Sequence, residues 1–211
     1  MNDNRNYTFP DDYQEERSEY QLILDLISLK SKVIDLGCGN GVLLEKLIKS
    51  KYVIGTGVEL SSSGVKICKD KGLNVIQGRI DEQINFQDNA FDYSICNVTI
   101  QMVLYPEILL SEMKRISKYQ IISFPNFGFY KNRLEFLIKG GMPLHSLFGY
   151  KWYSTGHIHQ CSINDFYILI HEIGLHVLEH KHLNTVNPLK KMMMDLFPNL
   201  FQLVPVFLLT K

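Results

Sequence analysis

The segment Val33-Ile34-Asp35-Leu36-Gly37-Cys38-Gly39-Asn40-Gly41 limits the fold of this chain more than any other. An apolar run ends in an acid, three glycines alternate with other residues, and an amphipathic helix pattern begins. That order reads as strand, tight turn, helix. A strand that turns straight into a helix needs backbone angles that side chains resist, and a ligand on that turn needs an approach that a Cβ would block. The helix expected over about 41–50 points its free N–H groups and positive dipole end at the same spot. The layout is that of a site for a nucleotide-type molecule.

Spacing selects among such sites. A dinucleotide fingerprint needs G-x-G-x-x-G. Its last glycine would fall on Val42 counting from Gly37, or on Leu44 counting from Gly39, so neither frame fits. The G-x-G-x-G spacing with Asp35 before it resembles the first motif of class I methyltransferases, which use S-adenosylmethionine. A second element agrees: Tyr52-Val53-Ile54-Gly55-Thr56-Gly57-Val58-Glu59-Leu60 reads as the next parallel strand, ending in an acid. An acid there, about 20 residues past the glycine turn, is expected to accept hydrogen bonds from both ribose hydroxyls. The plainer reading, a charge near the start of the next helix, is compatible with it.

The rest of the first half alternates in the same way. A helix over about 15–29 precedes the first strand, with Tyr20, Ile23, Leu24 and Ile27 at helical spacing. Expected next are strand 32–36, helix 41–50, strand 53–58, helix 61–70 stopped by Gly72, strand 74–77, strand 91–97, a helix from Pro106 to about Ser117, and strand 120–124. Such alternation implies a parallel sheet covered on both faces, with ligands beyond the carboxyl ends of the strands. The glycine turn, Glu59, the loop Gly78–Asp81 and Asn97 all fall at such ends. The second half is less regular: a helix over 130–138, a loop over 140–161, a helix opened by Ser162, a strand over 175–183, a helix from Pro188, and a last strand over 204–209. Residues 1–14 read as a flexible leader and 15–211 as a single domain.

Charge bears on partners. Twenty-two basic and 22 acidic residues cancel, so no global field favours nucleic acid or an anionic membrane. No apolar run is long enough to span a bilayer, and the polar N-terminus has no signal-peptide core, which leads to a cytoplasmic expectation. Cys38, Cys68, Cys96 and Cys161 are dispersed and read as reduced, mostly buried thiols rather than a nucleophile.

More specific marks lie further along: Asn97-Val98-Thr99-Ile100-Gln101, Ser123-Phe124-Pro125-Asn126-Phe127-Gly128, Met142-Pro143, Trp152-Tyr153-Ser154-Thr155, Ile158-His159, Ile163-x-Asp165-Phe166 and Phe197-Pro198-Asn199-Leu200. On these the chain resembles the MetW family of methionine biosynthesis over roughly 18–211. The resemblance implies an α/β, Rossmann-like class I methyltransferase fold, with a seven-stranded, mostly parallel sheet and helices on both faces. It implies binding of S-adenosylmethionine (or S-adenosylhomocysteine) and association with homoserine O-acyltransferase.

The expected cofactor-binding residues are Asp35, Leu36, Gly37, Cys38, Gly39 and Gly41 on the first turn, Glu59 and Leu60 on the second, Arg79 and Ile80 on the third, and Asn97 and Val98 on the fourth. Many relatives have an acid facing the adenine amino group where this chain has Arg79. Arginine has only donors, so Arg79 is expected to stack on the ring, with Ile80 offering its backbone. Substrate-side candidates are Tyr105, Asn126, Tyr153, His157 and His159. Where relatives often read proline-asparagine, this chain has Gly156-His157.

The cofactor carries an already activated methyl group, so positioning suffices and no catalytic base is required. No asparagine/aspartate-proline-proline-aromatic motif occurs, and catalytic residues stay unassigned. Neither His157/His159 nor His176/His180/His182 completes a metal-ligand spacing, so no metal is expected. Trp152-Tyr153 reads as a pair that closes over a ligand or binds a partner, or equally as core packing, and Met192–Met194 reads as helix packing near the sheet in preference to an adaptable contact surface. Two functional readings follow: a cofactor-binding partner and regulator of homoserine O-acyltransferase, and an active small-molecule methyltransferase. An NAD-dependent oxidoreductase is disfavoured by Val42.

Overall fold

The computed structural model describes residues 17–183 and 185–211. The expected leader over 1–14 lies outside them. Seven strands form one sheet in the order β3-β2-β1-β4-β5-β7-β6. These are β1 (Lys32–Leu36), β2 (Ile54–Glu59), β3 (Val75–Gln77), β4 (Phe91–Asn97), β5 (Ser117–Ser123), β6 (His176–Lys181) and β7 (Val206–Thr210). The first five are parallel; β7 runs antiparallel to both β5 and β6. The order reverses at β1, which has β2 on one side and β4 on the other, with Asp35 opposite Gly57 and Ile95.

After its first residue β1 is buried throughout, as a central parallel strand must be. Alternate residues enter different cores. Ile34 and Leu36 pack with Phe124, Phe166 and Phe207, while Val33 packs with Tyr93, Ile121 and Leu208. Against the first core lie α4 (Pro106–Ile116) and α6 (Ile163–Ile173); against the second lie α1 (Tyr20–Leu26) and α2 (Val42–Lys51). A smaller cluster joins Cys38 and Leu44 to Val65 and Cys68 of α3 (Ser62–Asp70). Helices therefore cover both faces. The remaining helices are α5 (Tyr130–Lys139), α7 (Pro188–Leu196) and α8 (Pro198–Phe201).

The β5 strand begins three residues earlier than the hydrophobic pattern indicates. No loop separates it from α4: Ser117 is buried, its hydroxyl donates to Met113 O at 2.8 Å, and it lies 2.7 Å from Ser94 Oγ. Local bonds satisfy this polar residue, so it reads as a turn in sequence while behaving as strand. The first helix is shorter than 15–29, beginning at Tyr20 and closing at Ile27. The helix opened by Ser162 has a full capping box with Asp165 and stops at Gly174, with φ 72°.

Candidate cofactor site

The glycine turn has the backbone its sequence requires. Gly37, Gly39 and Gly41 have φ values of 78°, 57° and 76°, in the left-handed region that a side chain resists. The N–H groups of Gly37 and Cys38 both donate to Val58 O, at 2.8 and 3.2 Å, tying the turn to β2. A Cβ on Gly37 would stand 2.6 Å from Thr99 Cγ2, and one on Gly41 would stand 2.5 Å from Leu73 Cδ1. Immediately after, α2 starts at Val42.

Glu59 points into this turn. Its carboxylate is buried, with Oε2 accepting from Gly39 N at 2.8 Å and Oε1 accepting from Ser61 N at 2.8 Å. Asp35 is also buried; burial first, and the charge of Glu59 second, push its carboxyl up to about 7. Two acids thus stand behind the glycine turn, a setting that favours a cationic ligand.

At the third strand tip the ring-stacking expectation meets a fixed side chain. Arg79 Nη2 is 2.8 Å from Asp81, and its Nε is 3.8 Å from Glu82. The Arg79 side chain keeps a quarter of its surface exposed. Asp81 is itself buried and accepts from Leu104 N at 2.8 Å and Tyr105 N at 3.4 Å. It holds the loop after β4, a role not assigned from the sequence. The Ile80 side chain is in the core, leaving only its backbone for a ligand.

The fourth tip carries strain. Val98 has φ 50°, which is unfavourable for a β-branched residue and recurs at functional sites. Its N–H bonds both Ser123 O and Ser123 Oγ at 3.0 Å. Asn97 Oδ1 accepts from Ser123 Oγ, and Asn97 Nδ2 donates to Glu19 Oε1 at 3.3 Å. Leu36 is wholly buried and Leu60 is partly exposed.

Of the substrate-side candidates, Tyr105, His157 and His159 gather beside this tip. His159 Nε2 is 3.3 Å from Leu104 O, and His157 Nε2 is 3.4 Å from Gln101 Nε2. Gln101 is the hub: its carbonyl accepts from Ile158 N and His159 N at 2.8 and 3.0 Å, and its Nε2 donates to Val98 O. Its only signal in the sequence is its place in the Asn97–Gln101 stretch. Tyr153 stands 66% exposed beside Trp152.

Asn126 corrects the expectation. It is fully buried, its Nδ2 donates to Asn199 O and Gln202 O, and its Oδ1 accepts from Gly128 N and Ile163 N. All four side-chain positions are used, so Asn126 ties β5 to the C-terminal segment and α6 and presents nothing to a substrate.

The remaining polar residues are structural. Burial pushes the Cys96 and Cys161 thiols up to about 12, and a hydrogen bond with Cys68 together with burial holds Cys38 well above the ordinary thiol range. None is a ready nucleophile. His180 Nε2 bonds Gln202 Oε1 and its ring stacks on Phe207, while His182 Nε2 meets Asp195 Oδ1 at 2.8 Å. Among the described residues no group of three or more His, Cys, Asp or Glu could hold a metal ion, and no helix is long and apolar enough to cross a membrane.

The strand order, the switch at β1 and the glycine turn define the Rossmann-like class I methyltransferase fold. Solved structures agree. One is a chain of the complex between the Haloferax volcanii Trm112 methyltransferase activator and a methyltransferase (17% identical, covering 92% of this chain and 88% of that one, TM-score 0.66). Another is a SAM-dependent methyltransferase of Thermotoga maritima (19% identical, 92% and 87% covered, TM-score 0.63). At these identities they establish the fold alone. The chain belongs to the MetW family: the model of methionine biosynthesis protein MetW matches residues 17–209. A curated relative, the bifunctional methionine biosynthesis protein MetXA/MetW of Rhodopirellula baltica, is 34% identical over 143 residues, 63% of this chain and 23% of the relative. The chain spans between 23% and 40% of the length of the curated relatives it matches.

Proposed function

We propose that this chain binds S-adenosylmethionine, or S-adenosylhomocysteine, across the tips of β1, β2 and β4, and serves methionine biosynthesis as partner and regulator of homoserine O-acyltransferase. The observation that carries the binding reading is Glu59. A buried carboxylate at the tip of β2, bonded to Gly39 N of the glycine turn and to Ser61 N, is an acceptor fixed beside that turn.

The residues fit the group. Gly37, Gly39 and Gly41 hold the turn in its left-handed conformation, and the α2 N-terminus favours a carboxylate. Glu59 would accept from the ribose hydroxyls. Arg79, steadied by Asp81, offers a flat cation for an aromatic ring, and Ile80 offers its backbone. Glu59 supplies negative potential that suits a sulfonium cation, and such a cation would favour the ionised form of Asp35. The bound group would bring an activated methyl; this chain's part is to hold it and exclude water. The partner reading is supported by the relative that bears both MetXA and MetW in its name. Binding of the pathway's downstream metabolite would then bias the complex, a coupling of two sites.

The test is copurification with the acyltransferase and an acylation assay with and without this chain, with S-adenosylmethionine titrated by calorimetry. No heat of binding removes the cofactor reading. No complex and no change in acylation rate remove the partner reading. Turnover to S-adenosylhomocysteine with a metabolite would move the chain to the alternative, an active small-molecule methyltransferase.

A further inference from the structure

The α5 helix has its apolar side turned outward. Its only buried residue is Asn132. Its large apolar residues are open: Leu134 is 48% exposed, Phe136 57%, Leu137 80% and Ile138 78%. A helix on a globular protein ordinarily turns such a stripe to the core. Apart from the Tyr130 ring packed beside Phe201, polar bonds tie the helix to the body. Asn132 Nδ2 donates to Asn126 O and Phe127 O, Asn132 Oδ1 accepts from Ser146 N, and Arg133 Nε donates to Gly128 O. Leu134, Leu137 and Ile138 share one face by their i, i+3, i+4 spacing. Glu135 Oε2 accepts from Leu144 N at 3.1 Å, which places Leu144, and Met142 before it, beside the helix; both are exposed.

The area is that of an interface. Leu134, Leu137 and Ile138 on that face, with Met142 and Leu144 beside it, leave on the order of 500 Å² of largely apolar surface uncovered. That is at the upper end of the largest apolar patch on a soluble monomer, about 300–600 Å² and often functional, and is more than half of the ~800 Å² per partner of a stable complex. Charge selects the occupant. Between residues 126 and 161 the chain carries Lys131, Arg133, Lys139 and Lys151 against the single acid Glu135, although the whole chain is neutral. A two-fold dimer would set this patch against its own copy, with basic rim on basic rim. A different protein with an acidic rim fits it.

We propose that the outward face of α5, with Met142 and Leu144, is the docking surface for the acyltransferase partner, whose matching surface has an apolar centre and an acidic rim. The inference rests on the partner reading given above. In a chain such as the bifunctional relative, covalent linkage would raise the effective concentration of the two parts.

The experiment measures affinity between the full chain and the homoserine O-acyltransferase encoded in the same genome, for wild type, Leu137→Asp, Ile138→Asp and Lys131→Glu. All three positions are exposed, so thermal midpoints are expected to hold. Each aspartate variant is expected to weaken binding at least ten-fold, and Lys131→Glu to weaken it and flatten its salt dependence. Wild-type binding with undiminished affinity in both aspartate variants overturns the surface assignment and leaves the partner reading standing. Absence of wild-type binding overturns both. A wild-type homodimer dissolved by Leu137→Asp, with acyltransferase binding unaffected, shows that the face belongs to a second copy and also overturns the assignment.

Discussion

Replacing Glu59 with glutamine tests the site at its centre. The wild-type carboxylate accepts two backbone N–H groups, each at 2.8 Å, in a place almost closed to water. Glutamine keeps the shape but has one acceptor oxygen. Its amide nitrogen must face either Gly39 N–H or Ser61 N–H, which sets donor against donor. A buried donor left unmatched costs about 1–3 kcal/mol. Losing the Glu59 charge returns part of this, because that charge is the second cause of the raised Asp35 pKa. The net expectation is a loss of about 2 kcal/mol, which for a chain of this size lowers the thermal midpoint by about 4–8 °C. The same change is expected to weaken S-adenosylmethionine binding by about 1–3 kcal/mol, or roughly 5- to 150-fold. Thermal melting and calorimetric titration of the same samples read both numbers. A midpoint and an affinity both equal to wild type would refute the account of Glu59. A lower midpoint with unchanged affinity would show that the acid serves the turn and not the ligand.

Asp35 should make stability depend on pH. Its folded pKa of about 7 lies above the ordinary aspartate value of 3.8, so between those values the native state holds a proton that the unfolded chain has released. Stability is therefore expected to fall as pH rises from about 4 to about 7, by at most roughly 4 kcal/mol; urea titrations of Asp35→Asn should show that slope flattened. Gly37→Ala places a methyl 2.6 Å from Thr99 Cγ2 at a φ of 78°, at a cost of about 2–4 kcal/mol in denaturant unfolding; a stability equal to wild type would mean that the turn is not held as described. Asn126→Ala strands four buried hydrogen-bonding groups and is expected to cost about 3 kcal/mol, while Asn126→Asp sets a buried carboxylate against the Asn199 and Gln202 carbonyl oxygens and should cost at least as much. An Asn126→Ala variant as stable as wild type would return the residue to the substrate side.

Most elements were legible because their causes are local. Positive φ at Gly37, Gly39 and Gly41 follows from a turn too tight for side chains, and the capping box at Ser162 and Asp165 lies within four residues. Elements failed where the signal was short or interrupted. Polar Ser117 hides the start of β5, and the four residues of α8 are too few to show a period. Placing β7 between β5 and β6 depends on pairing that no local pattern announces.

The sequence alone determined the strand–turn–helix cradle, the acid on the neighbouring strand and the alternation that builds a parallel sheet, because each follows from neighbouring residues. Only the tertiary structure decided how the distant polar groups are used. Asn126 meets partners 73 and 76 residues away, Asp81 clamps loop residues 23 and 24 positions later, and α5 shows its apolar side to the outside. A side chain's chemistry states which bonds it can make. Which partners come within about 3 Å, and whether water still reaches them, is settled only when the chain has closed.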